Sequence, residues 1–269
     1  MLHKLISCLF MKPLGIKWLF VVILLSQTGC VTLYKPNAIN TPLLKQQGDF
    51  KGTVGMGVSG TGLLNIQSAY GLTNHFGLLL NGMYHYKHST SDSLNIGKHN
   101  QYFGEAGAGY FTAFGSQKNG VFQCFGGGGF GYTNDYYSHT DENHARSTAT
   151  YNNYFIQPGI AYADETVEVA FDLRSNYVSI FNIQSTDNFY DDTTFSFINI
   201  EPTLTLRAGG KKLKGFIQTG LTIPSYNSDA YFSANNTNGF LFGPVFKFSI
   251  GLNIALNLSN PKKVSTTSP

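Results

Sequence analysis

The chain has 269 residues, of which 12% are charged and 14% aromatic, with a formal net charge of +3. Charge at about half the share of a typical soluble domain argues against a surface wetted all round, and so small a net charge leaves no footprint for nucleic acid. The length suits one large β domain, and no stretch beyond the first thirty residues is long and apolar enough for a membrane-crossing helix.

Residues 1–29 read as an export signal. Lys12 and Lys17 form a basic start, Met11 offers an internal initiation point, and Trp18 to Leu25 form a short apolar core. Gln27, Thr28, Gly29 and Cys30 then resemble the bacterial lipoprotein box, departing from it where leucine is usual at position 27. The resemblance implies cleavage before Cys30 and a covalent acyl lipid on its thiol. One acyl chain holds a membrane weakly, so lasting attachment falls to the rest of the chain. Of three cysteines, Cys8 lies in the signal, and Cys124 is left in the body as a small lipid-facing hydrophobe. No disulfide within the mature body is expected unless Cys30 stays unmodified. Residues 30–49 lack periodicity, contain Pro36 and Pro42, and read as a periplasmic tether. Val31 to Lys35 carry no acidic run of the kind found in some surface-exported lipoproteins, which favours an anchor facing the periplasm.

Ten alternating segments follow, at 50–60, 62–73, 76–87, 99–113, 120–133, 151–163, 166–178, 195–208, 213–223 and 240–257. Each reaches the nine to eleven or so residues that a tilted strand needs to cross the hydrocarbon. Connections after the second, fourth, sixth and eighth are short: Asn74–His75, Gly115–Asn119, Asp164–Glu165 and Gly209–Lys212. Those after the third, fifth, seventh and ninth are long: Ser89–Lys98, Asn134–Thr150, Ser179–Thr194 and Pro224–Gly239. Only the first pair, joined near Gly60 to Gly62, breaks the rule. Tight turns on one side and open loops on the other are the pattern of a transmembrane β-barrel.

The seventh segment fixes the two faces. Val167, Val169, Phe171 and Leu173 alternate with Glu168, Ala170, Asp172 and Arg174, and successive strand residues face opposite sides. Across the chain the polar face is mostly Gly, Asn, Gln, Ser and Thr, which suits a confined lumen better than bulk water. The expectation is an all-β fold: a ten-stranded antiparallel up-and-down transmembrane β-barrel over residues 50–257, with a tail at 258–269. An even strand number places both termini on the short-turn side. The expected location is the outer membrane of a Gram-negative bacterium, with termini periplasmic and long loops extracellular.

Ser249, Gly251, Ile254 and Leu256 resemble the signal by which outer-membrane barrels present their last strand to the barrel-insertion machinery, although residues 257–269 extend beyond it. Pro158, Pro202 and Pro244 recur on the lipid-facing parity, where a missing donor predicts a bulge or a strand end. The Gln157-Pro158-Gly159 and Glu201-Pro202-Thr203-Leu204-Thr205-Leu206-Arg207 stretches resemble a family of small Gram-negative outer-membrane β-barrel lipoproteins. That resemblance spans most of residues 30–257 and implies architecture, since the family's function is largely unassigned.

Inward parity gathers Glu105, Glu168, Asp172, Arg174, Glu201, Arg207 and Lys247. An unpaired charge in a narrow lumen costs several kcal/mol, so ion pairs are expected, Glu168 near Arg207 and Arg174 near Glu201. The two readings are a salt-bridged plug and an ion-selective lining; a ten-stranded barrel is only slightly wider than one filled by side chains, which favours the plug. Gly126–Gly129 lacks the helix and Lys-Ser/Thr pair of a phosphate loop. Gly127, Gly129 and Gly131 instead make room for inward Phe103, Phe111 and Phe155.

His85, His88, Asp135, His139, Asp141, His144, Asp187, Asp191 and Asp192 fall at strand tops or in long loops, where the ten-stranded omptin proteases carry Asp and His, but no spacing selects a catalytic set. His139 with His144, or Asp141 and Glu142, is at most a weak metal site. Loop aromatics Tyr136, Tyr137, Phe181, Phe189, Tyr190, Tyr231 and Phe232 suit an interfacial girdle, or a sugar- or protein-binding surface. The expected function is therefore a non-enzymatic outer-membrane barrel lipoprotein whose loops bind a ligand or partner, with no catalytic residue, metal or cofactor. Its partners are the lipid bilayer, the acyl lipid on Cys30 and the insertion machinery, with no nucleic acid. A narrow porin-like pore and a loop-borne hydrolase are the alternatives.

Overall fold

The computed structural model describes residues 34–59, 61–91, 95–139, 144–186, 194–225 and 245–258. The signal at 1–29 and the tail from residue 259 on lie outside them. Ten strands form a closed barrel: β1 (Asp49–Ser59), β2 (Leu64–Gly71), β3 (Phe76–Ser91), β4 (Asn95–Phe114), β5 (Gly120–His139), β6 (His144–Ala163), β7 (Val167–Ser185), β8 (Phe195–Gly209), β9 (Leu213–Ser225) and β10 (Val245–Asn257). Each strand pairs antiparallel with its sequence neighbours, and β1 closes on β10 from Asp49↔Asn257 upward. Closure leaves no sheet edge to cap.

Burial is inverted relative to a water-soluble barrel. On β7, Val167, Val169, Phe171 and Leu173 are exposed, Phe171 at 48%, while Arg174 and Asp172 are at 0%. The same holds round the wall, with Leu80 at 63%. Outward aromatics border this apolar band. Tyr84, Tyr102 and Tyr132 stand side by side near the loop end, and Tyr154 faces Tyr177. Phe76 and Tyr110 pair near the turn end. Tyr102 and Tyr110, like Tyr154 and Tyr162, are eight residues apart, or about 26 Å along a strand.

Several strands outrun their predicted ends, by one residue at most on the turn side and by several toward the loops. β5 continues to His139, β6 begins at His144 and β7 runs to Ser185. The expected loop at 89–98 shrinks to a connection at 92–94. Beyond the apolar band the outer face no longer needs apolar side chains, while the inner face stays buried at Asp135 and Ile183, so the ladder continues while the apolar/polar alternation fades.

The expected bulges at proline also need correction. Pairing of β6 with β7 skips from Ile156↔Ser175 to Gly159↔Asp172, and β8 with β9 from Ile200↔Ile223 to Thr203↔Gly220, both without a change of register. Pro158 and Pro202 thus interrupt the ladder without inserting a residue. Shifts fall instead at Gly57/Ser59 and Thr148/Thr150. Pro244 lies outside the described residues.

The largest correction concerns residues 30–49. The described part of this supposed periplasmic tether, from Tyr34, runs through the inside of the barrel. Lys45 reaches the turn end, where its Nζ donates to Ala163 O at 2.6 Å and Gln47 N donates to Asn74 Oδ1 at 3.1 Å. Tyr34 sits toward the loop end, packed with Tyr151, Phe103 and Phe197. The two ends of the described N-terminal stretch therefore lie at opposite ends of the lumen, and Tyr34 is not on the short-turn side with the end of β10.

Candidate functional site: a lumen filled by the N-terminal segment

The lumen wall reads the backbone of residues 35–43 with side-chain amides. A primary amide carries a donor and an acceptor at one tip, so it can pair with a peptide unit much as a neighbouring strand would. Gln101 does so at Lys35, accepting from its N–H at 3.0 Å and donating to its carbonyl at 2.9 Å. Gln218 does the same at Ile39, at 3.0 and 2.8 Å. Asn65 and Gln67 share Ala38, Gln157 donates to Asn40 O, and Gln123 accepts from Leu43 N. A segment without ladder partners thus has many of its backbone groups paired from strands on several sides of the barrel, as burial requires.

Apolar side chains pin both ends. Tyr34 makes edge contacts with Tyr151 at 5.1 Å and Phe197 at 5.9 Å between centroids. At the other end Leu44 packs with Leu79, Phe111, Phe125 and Phe155, and Leu43 with Val121, Ala161, Ala163 and Ala170. Leu43 holds φ at +52°, a left-handed conformation costly for a residue with a Cβ, and it lets adjacent leucines enter two different clusters. Gly48, at φ +82°, then completes the reversal into β1. The inward rings need the glycines opposite them: a Cβ on Gly131 would stand 2.0 Å from Tyr151 Cζ, and one on Gly129 2.7 Å from Phe103 Cζ.

The sequence-selected charges all lie inside, in two groups with Asp172 between them along β7. Near the turn end Glu168 accepts from Arg207 at 3.0 Å, as register predicts, and also from Lys214 at 2.8 Å and Lys51 at 3.3 Å. Higher up, Arg174 stands opposite Glu201 in register but pairs instead with Glu105 across the lumen, at 3.0 and 2.5 Å. Its guanidinium also lies 4.0 Å from the centre of the Phe155 ring. Glu201 takes Lys247 at 3.3 Å and accepts from Thr222 at 3.1 Å. Asp172 accepts from Thr41, Gln123 and Gln157. The segment joins both groups, since Arg207 also donates to Thr41 O at 2.6 Å and Asn37 to Glu105 at 3.0 Å. Lys51 and Lys214 were missed in the sequence although their alternation points inward.

Of the rim candidates, the structure brings His85 and Asp135 together and adds His99, which the sequence reading passed over. Asp135 Oδ1 bonds His99 Nδ1, and the His85 and His99 ring centroids are 5.2 Å apart. All three are buried. Among the described residues His99 Nε2 and both His85 nitrogens have no hydrogen-bond partner. No group of three or more His, Cys, Asp or Glu side chains suited to a metal ion occurs among the described residues. His88 is exposed on β3. Asp141, Asp187, Asp191 and Asp192, the side chains of His139 and His144, and most of the loop aromatics lie outside the described residues.

No family model matches the chain, and no curated protein matches it. Among solved structures, the outer membrane protease OmpT from Escherichia coli aligns at 12% identity and a TM-score of 0.41, covering 78% of this chain and 94% of OmpT. No residue role is carried over from it.

Proposed function

We propose that this chain is a non-enzymatic outer-membrane barrel, kept closed by its own N-terminal segment and anchored by a lipid on Cys30, whose loop end presents a binding surface for a ligand or partner. Membrane residence is supported by the inverted burial, with an apolar band bordered by aromatic rings outside and charge within. The segment carries the rest of the reading. Tyr34–Lys45 occupies the interior and uses the polar atoms that would otherwise line a water path. This disfavours the passive pore. The lipid bilayer is the expected solvent of the wall, and insertion machinery the expected partner during biogenesis.

Conductance of the purified, heat-modifiable protein in a planar bilayer tests the closed lumen. The expected result is silence at all voltages; discrete, reproducible channels would overturn it.

One observation favours a second reading, a hydrolase at the loop end: His99, oriented by Asp135, leaves Nε2 unpartnered beside His85. Peptide- or ester-hydrolysing activity that disappears in His99→Ala would establish it, and an inactive wild-type protein would dismiss it.

A further inference from the structure

We propose that the barrel is a sheath for its own N-terminal segment, and that it delivers the residues before Tyr34 to the loop side of the membrane rather than the turn side. The inference rests on the membrane reading above for the words "side of the membrane", but the choice of mouth rests on internal geometry alone. The segment has a direction. Leu43 and Leu44 are set among side chains near the short turns, and Lys45 is bonded to the last residue of β6. Tyr34 is set beside Phe103, the neighbour of outward-facing Tyr102 in the loop-side aromatic border. Asn176, the neighbour of border residue Tyr177, donates to the Tyr34 hydroxyl at 3.4 Å.

The register is fixed rather than incidental. Gln101 and Gln218 each hold both the N–H and the carbonyl of one residue, four positions apart in the segment, from β4 and β9 respectively. Sliding the segment by one residue would break both pairs and withdraw Leu43, Leu44 and Tyr34 from their clusters.

Chain length then decides the side. Ten residues separate Tyr34 from Leu44, about 33 Å of extended chain and comparable with the bilayer core. Cys30 precedes Tyr34 by four residues, at most about 14 Å. That reach falls short of the turn-side leaflet, so Cys30 lies toward the loop-side mouth. The periplasm-facing anchor expected from the missing acidic run gives way to an anchor on the same face as the loops.

The test places one epitope tag at a time in the full chain: between Leu33 and Tyr34, within the 187–193 connection, or at Lys211 in the β8–β9 turn. Antibody binding is read on intact and on permeabilised cells. The 33/34 tag is expected to behave as the loop tag does, with signal on intact cells, and the turn-tag signal to be lost until permeabilisation. Any result in which the 33/34 tag parts company with the loop tag overturns the proposal. If the loop tag is hidden and the turn tag exposed, outward-facing loops are refuted, while a 33/34 tag hidden with the loop tag still upholds the sheath. Adding Cys30→Ala should leave the pattern unchanged, because the segment's fixed course and not the lipid sets the side; a tag that moves to the turn side would overturn the inference.

Discussion

Arg174 and Glu105 meet across the lumen from β7 and β4 although Arg174 faces Glu201 in register. A flat sheet would have paired Arg174 with its cross-strand neighbour. In a narrow closed barrel long side chains also reach across the lumen, and Lys247 is free to take Glu201.

Arg174→Ala should therefore be among the most destabilising changes. It leaves Glu105 buried without a cation, a loss of about 3–5 kcal/mol. Heat-modifiability on a gel reads it as a clear fall in the unfolding temperature. Arg174→Met with Glu105→Gln should recover most of the loss, because no uncompensated charge then remains and the amide oxygen can still accept from Asn37 and Asn81. An unchanged unfolding temperature in Arg174→Ala would refute the structural role.

Leu44→Ala opens a cavity among Phe111, Phe125 and Phe155, at an expected cost of about 2–5 kcal/mol. Combined with Tyr34→Ala and Leu43→Ala it removes the apolar pins at both ends of the segment, and the silent barrel should then flicker open in bilayer recordings. Single-residue truncation at outward Phe76 should leave it silent.

Gly131→Ala and Gly82→Ala make a matched pair. A Cβ at Gly131 collides with the buried Tyr151 ring, whereas one at Gly82 meets nothing within 4 Å. The first should cost about 1–3 kcal/mol by overpacking. The second should be neutral or slightly stabilising, since alanine loses less chain entropy on folding. Thermal unfolding of the two variants side by side checks both.

Leu80→Arg tests the membrane directly. Leu80 lies on the outer face, midway between Phe76 and Tyr84. An arginine at the bilayer midplane costs about 2–4 kcal/mol, but on a water-facing wall it would cost almost nothing. Folding efficiency into lipid vesicles separates the two.

The wall was legible because alternation records two media. β7 could be read residue by residue, and the Glu168–Arg207 pair followed from counting back from its turn. The filling was not legible, for the converse reason. Residues 34–44 are enclosed on all sides, so no face differs from another and no period appears. Their bonds go to Gln101, Gln123, Gln157 and Gln218 instead of a ladder. The available clue was in those partners: an inward face unusually rich in long amides has to satisfy them somehow, and a peptide backbone does so well. His99 was missed because its partner Asp135 is distant in sequence, and only the β4–β5 register puts them opposite.

Closure of β1 on β10 has a consequence for the order of events. The seam joins Asp49 to Asn257, and Ile39 must already lie against Gln218 when it zips, since a sealed cylinder offers only its narrow mouths for a segment pinned at both ends. The segment that precedes β1 is then a mandrel on which the strands are wound. Growth of the wall and loading of its contents become a single cooperative step, and a chain that zips its seam early would be left hollow, with the segment stranded outside.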